Sequence, residues 1–262
     1  MRALNQRVIV SATIRFTGLL VILPLCSVPH WAGQRHQGAI VCREEVSLAR
    51  RDELAHQLQA ITGWRNLNFD ANGTLRLAAD AANGGSDSAR NLVAKTLAGD
   101  KVLILEDASN RTDVVFARVV PGRWKNNGAE NPAAFVVLID FADFDRLMGD
   151  RPALEAFNVG WSVLHEIDHV VNESVDSDGV GHVGECEDHI NQMRRECHLP
   201  ARLDYFFSFF PNSEQGDFRT RLVRLAFELE DPSAKKHRRF WVVWDATQVG
   251  GLDAARQVAV LR

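Results

Sequence analysis

The chain has 262 residues, of which 46% are hydrophobic and 24% charged, with a formal net charge of −4. Such a composition belongs to a globular protein of one moderate domain or two small ones. It gives no reason to expect nucleic acid or an acidic membrane surface as a partner.

The chain starts unlike a globular domain. Arg2, Arg7 and Arg15 precede an apolar stretch, Phe16 to Cys26, and no acidic residue occurs before Glu44. The stretch is too short to span a bilayer comfortably. Residues 1–33 therefore read as a secretory signal peptide, cleaved between Ser27 and Gly33, or as an N-terminal anchor. The remainder, 34–262, reads as a single α+β domain with a possible sub-division near residue 200. A secreted or periplasmic location is expected. Three cysteines remain, Cys42, Cys186 and Cys197. The last two fall on one predicted helix, about 16 Å apart at roughly 1.5 Å per residue, too far to bridge. Cys42 could pair with either in an oxidising compartment.

Ala39–Val41 is a short strand or linker. Val46, Leu48, Leu54, Leu58 and Ile61 predict a helix over 43–61. Trp64 to Leu77 reads as a hairpin turning at Asn72-Gly73. Ser86 or Asp87 caps a helix running to Leu97, which Gly99 stops. Strands are predicted at 101–105, 114–120 and 133–141, the last being the most apolar, and a helical turn at 143–149. Tyr205-Phe-Phe-Ser-Phe-Phe210 is the densest aromatic run and suits a core or domain interface better than a substrate groove. A helix is predicted over Phe218–Leu229, a late strand over Phe240–Trp244 and a final helix over Leu252–Arg262. No nucleotide-binding glycine loop and no G-x-S-x-G elbow occurs.

The chemistry gathers in Asn158 to Cys197. His165-Glu166-Ile167-Asp168-His169 is an H-E-x-x-H string. Val159, Val163, Leu164, Ile167, Val170 and Val171 recur at three-to-four spacing, the stripe of a buried helix. Residues four apart share a helix face, so His165 and His169 can turn two imidazoles to one metal ion. Glu166 is rotated by roughly 100° and lies beside that point. Zinc suits the arrangement: three protein ligands leave one position for water. A carboxylate can then take that water's proton.

On these residues the chain resembles the zincin metallopeptidases, in a gluzincin-like form, over residues 158–197. The resemblance implies His165 and His169 as zinc ligands and Glu166 as general base. It also implies a small mixed or antiparallel sheet that precedes and packs on the motif helix, with a helical C-terminal part and a late strand. Asp168 departs from the peptidase pattern. H-E-x-D-H is similar to peptide deformylases, but those take a cysteine ligand upstream of the helix, and no cysteine lies between Cys42 and Cys186. Metzincins would need glycine and histidine where Asn172 and Val175 stand. A gluzincin-like ligand comes from the next helix, 184–197. Glu185 is favoured, with His189 as its partner or as the ligand itself, and Glu187 as a further alternative; Cys186 and His182 rank lower.

A second metal reading is a calcium loop over Ser174–Glu185, with acids at its third and fifth positions, Gly179 at the sixth and Glu185 at the twelfth. A plainer view makes Asp176 to Gly179 turn residues. The expectation is a zinc hydrolase acting on a peptide or protein. The alternative is a non-catalytic binding or structural protein stabilised by zinc or calcium. No nucleic-acid partner is expected, and no membrane contact beyond an N-terminal anchor.

Overall fold

In this computed structural model residues 38–78, 81–123, 133–209, 221–231 and 236–250 are described. They belong to one compact unit, Arg35–Arg262. The expected signal peptide or anchor and the expected final helix lie outside them.

In chain order the elements are β1 (Ala39–Cys42), α1 (Leu48–Thr62), β2 (Leu67–Phe69), β3 (Leu75–Leu77), α2 (Asp87–Ala98), β4 (Val102–Asp107), β5 (Ala117–Pro121) and β6 (Ala134–Ile139). Then follow α3 (Phe141–Asp145), β7 (Met148–Gly149), α4 (Arg151–Ala156), α5 (Val159–Val171), α6 (Gly184–Glu196), β8 (Ala201–Arg202), β9 (Ser208–Phe209), β10 (Leu222–Asp231) and β11 (Lys236–Asp245). The fold is α+β.

The first sheet has the order β1-β4-β6-β5. β1, β4 and β6 run parallel, and β5 pairs antiparallel with β6. Parallel strands are covered on both faces, and β4 shows it. Leu103 and Leu105 join the main core, while Val102 and Ile104 pack on the opposite side. The main core also takes Leu54, Leu58 and Ile61 of α1, Leu92 and Val93 of α2, and Val163, Leu164 and Ile167 of α5. Ser47 caps α1 and Ser86 caps α2. The strand expected over 114–120 pairs only from Ala117, because Phe116 sits at φ 62° and turns the chain.

The second sheet overturns an expectation. A helix is expected over Phe218–Leu229; Leu222–Leu229 belong instead to β10, half of an antiparallel hairpin with β11. Val223, Leu225 and Phe227 are buried, alternating with half-buried Arg224, Ala226 and Glu228. That period of two suits a strand with one covered face. The sheet runs β7-β11-β10-β8, with β9 also on β10. Its apolar face, with Phe157 and α4, forms a second core. The described C-terminal part is thus a β-hairpin and not helical. Cys42, Cys186 and Cys197 are all free thiols, so the expected pairing of Cys42 is absent.

Candidate metal centre

α5 begins at Asn158, whose side-chain oxygen accepts the Trp161 N–H at 3.3 Å. A Cβ built on Gly160 would come 2.9 Å from Gln57 Cβ and 3.1 Å from Ile61 Cδ1, so glycine permits the close crossing with α1. Val163, Leu164, Ile167 and Val170 enter the main core. His165 and His169 leave α5 on its other side, toward the loop that joins it to α6.

The two Nε2 atoms are 3.1 Å apart. Oδ1 of Asp176 lies 3.0 Å from Nε2 of His165 and 3.4 Å from Nε2 of His169. Three ligands placed tetrahedrally at zinc distances of roughly 2.0–2.1 Å would stand about 3.3 Å from one another. The triangle therefore has the size that one such ion requires.

The second nitrogen of each ring is also held. Nδ1 of His165 stands 3.3 Å from Oε2 of Glu187. Nδ1 of His169 is 2.9 Å from the Ser174 carbonyl. A proton on each Nδ1 turns both Nε2 atoms to the centre, the usual outer-shell arrangement of metal-binding histidines. Burial works against charging His169, but the bond to Asp176 prevails and raises its pKa to about 11. His165 is likewise raised: burial opposes, and its bonds to Asp176, Cys186 and Glu187 outweigh it. Burial also opposes ionisation of Asp176, yet the two histidines hold its carboxyl well below the usual range. The cluster thus favours positive charge at its centre. Protons supply it when no ion is bound, and a cation would replace those on Nε2.

Asp168, the departure from the peptidase pattern, is fully buried. It accepts hydrogen bonds from Asn172 Nδ2 at 2.5 Å and Ser174 Oγ at 2.6 Å, and His189 Nδ1 lies 2.8 Å away. It thereby fixes Ser174, whose carbonyl orients His169. Glu187 is buried between Arg194, Arg202 and His165. Burial raises the energy of its charge, but the two guanidiniums hold its carboxyl well below the ordinary range.

Glu166 is 8% exposed and lines a cavity together with His165. Burial raises its affinity for a proton; the two histidines and a hydrogen bond from the Val119 backbone act the other way. Val119 lies on β5, an edge strand of the first sheet among the described residues. Tyr205 donates its hydroxyl to Oδ2 of Asp176 at 2.7 Å, and its ring lies 6.3 Å from that of His165. Burial pushes its pKa up. Sγ of Cys186 lies within 4.8 Å of the three ligand atoms and bonds the His165 carbonyl at 3.3 Å. These four are the only group of three or more such side chains that comes together among the described residues.

The structure brings His165, Glu166 and His169 together and sets the expected third-ligand candidates Glu185, His189 and Glu187 away from the two Nε2 atoms. Glu185 is exposed at the start of α6, His189 turns to Asp168, and Glu187 backs His165 from behind. The carboxylate at the two Nε2 atoms belongs to Asp176. The calcium-loop alternative finds its acids apart, with Asp176 on the histidines and Asp178 and Glu185 exposed. One local signal for Asp176 was available in Gly184. Its φ of 80°, and a Cβ position only 2.3 Å from Ser177 N, let the chain fold back so that Asp176 bridges Gly184.

No protein-family model, curated protein sequence or solved structure matches the chain.

Proposed function

We propose that this protein is a zinc-dependent hydrolase of amide bonds, acting on peptides. The observation that carries the reading is the triangle of His165 Nε2, His169 Nε2 and Asp176 Oδ1, with Glu166 beside it on a cavity wall. Two imidazoles and one carboxylate suit zinc and leave a fourth position open. An ion held there supplies Lewis acidity, which polarises a carbonyl and acidifies water.

The chain's own residues account for the rest. Glu166, made more basic by burial, takes the proton of the attacking water and returns it to the leaving amine. Glu187 and Ser174 keep the histidine rings aligned. Tyr205 donates its hydroxyl to Asp176 and so holds that carboxylate against the two histidines. Carbonyls on the outer edge of β5 could accept hydrogen bonds from an extended peptide, the Val119 N–H being held by Glu166. The basic and apolar start of the chain supports a secreted or periplasmic location.

Glu166→Gln tests the chemistry. It should keep the metal and lower turnover by at least about 100-fold, the lower end for loss of a general base. Full activity in that variant would sink the role.

One observation favours a second reading. Cys186 is close enough to complete a four-protein-ligand site, and a closed site is structural. Cobalt substitution separates the two. A thiolate-to-metal charge-transfer band lost in Cys186→Ser would support the closed site; its absence supports the open one.

A further inference from the structure

A cavity of about 230 Å³ opens beside the candidate metal centre, and Glu166 and His165 form part of its wall. Phe116, Phe157, Phe207 and Trp244 make the apolar part. Its size is informative. Pockets that enclose whole small ligands span roughly 300–1,000 Å³, and a single water takes roughly 30 Å³. The cavity falls between, in the range of one large side chain with its adjoining backbone.

Its chemistry is equally selective. Of the charged groups on the wall, Glu187 pairs with Arg194 and Arg202, and both arginines also donate to main-chain carbonyls; His165 and Glu166 belong to the candidate metal centre. A charged side chain entering there would lose its hydration against walls that are largely aromatic. The aromatic rings stand edge to face: Phe116 lies 5.0 Å from Phe157 at 85°, and 5.3 Å from Trp244 at 89°. A further ring or branched aliphatic group fits such walls.

Phe116 shows that the pocket is built. Its φ of 62° is a strained conformation for a bulky residue. Two hydrogen bonds hold it there: its N–H donates to Oδ2 of Asp143 at 3.1 Å, and its carbonyl accepts the Asp140 N–H at 2.8 Å. The strained residue directly precedes Ala117, the first residue of the edge strand β5, and its ring forms part of the cavity wall.

We propose that this cavity is the specificity pocket of the site. It takes one large apolar side chain, of leucine to tryptophan size, from a residue flanking the amide bond that is cut. The inference rests on the hydrolase reading and names its substrate class.

The test is a peptide library, randomised on both sides of the cut, given to the zinc-loaded full-length chain, with products sequenced by mass spectrometry. One fixed position beside the cut should be enriched in Leu, Met, Phe, Tyr or Trp. Ala117→Leu adds bulk to a half-exposed part of the wall. It should lower the ratio of kcat/KM for Phe over Ala at that position by about tenfold or more. Cleavage without preference for large apolar residues would overturn the pocket and leave the hydrolase standing, as would an unchanged ratio in Ala117→Leu. If that variant does not fold, the wild-type profile decides alone. No cleavage of any peptide would overturn both readings.

Discussion

Asp168 turns an apparent misfit in the motif into part of the machinery. A carboxylate between Glu166 and His169 looks out of place beside a metal, yet it points away from the centre and gathers Asn172, Ser174 and His189. Asparagine offers a single acceptor oxygen where Asp168 offers two. Asp168→Asn should therefore free Ser174, loosen His169 and weaken zinc binding by about 10- to 100-fold, the usual cost of losing an outer-shell partner. Competition against a chelator measures it, and unchanged affinity would refute the chain of contacts. A second buried carboxylate gives a pH prediction. Burial raises Asp143 to about 6 from an ordinary 3.8, against hydrogen bonds from the Phe116 and Gly250 N–H groups. Because its folded pKa is the higher one, its contribution to stability is fully present below pH 4 and is lost as pH rises through 6. Stability of the wild type relative to Asp143→Asn should fall by about 3 kcal/mol between those values. Parallel denaturation curves for the two proteins at each pH would show it.

At this scale the sequence exposed half of the centre. His165, Glu166 and His169 are legible because one helix fixes their spacing. Asp176 is not, because its place depends on where a loop closes, and the irregular residues from Asn172 to Val175 that separate it from α5 carry no periodicity.

Elements differed in the same way. α5 was readable from its apolar stripe, and Val159, Val163, Leu164, Ile167 and Val170 of that stripe are buried. β10 was misread because Leu222, Leu225 and Leu229 mimic helical spacing. The deciding pattern was Val223, Leu225 and Phe227, whose alternation has meaning only beside the partner strand β11. The loop between α5 and α6 is an element in its own right, closed by the backward fold at Gly184. An alanine there must adopt φ 80° and place its Cβ against Ser177 N. Gly184→Ala should shift the loop, weaken zinc binding and leave the two cores folded. Circular dichroism unchanged with zinc affinity reduced is the expected result. Affinity equal to the wild type would show that the loop does not place Asp176.

Across the whole molecule, the candidate centre joins parts that the sequence presents separately. α5 belongs to the first core. Glu187 of α6 is tied to Arg202 of β8, which pairs with β10 of the second sheet. Leu225 and Trp244 of that sheet line the cavity beside Glu166. The aromatic run, which suits a core or domain interface better than a substrate groove by sequence, also contributes here, through Tyr205 and Phe207. The central claim is that His165, His169 and Asp176 together hold one zinc ion, and metal content is its most direct test. The mature protein, purified without added metal, should carry about one zinc per chain by elemental mass spectrometry, as a three-ligand site predicts. Asp176→Ala should lose it and Glu185→Ala should keep it. A folded wild type without zinc, or Asp176→Ala that retains the ion, would contradict the account.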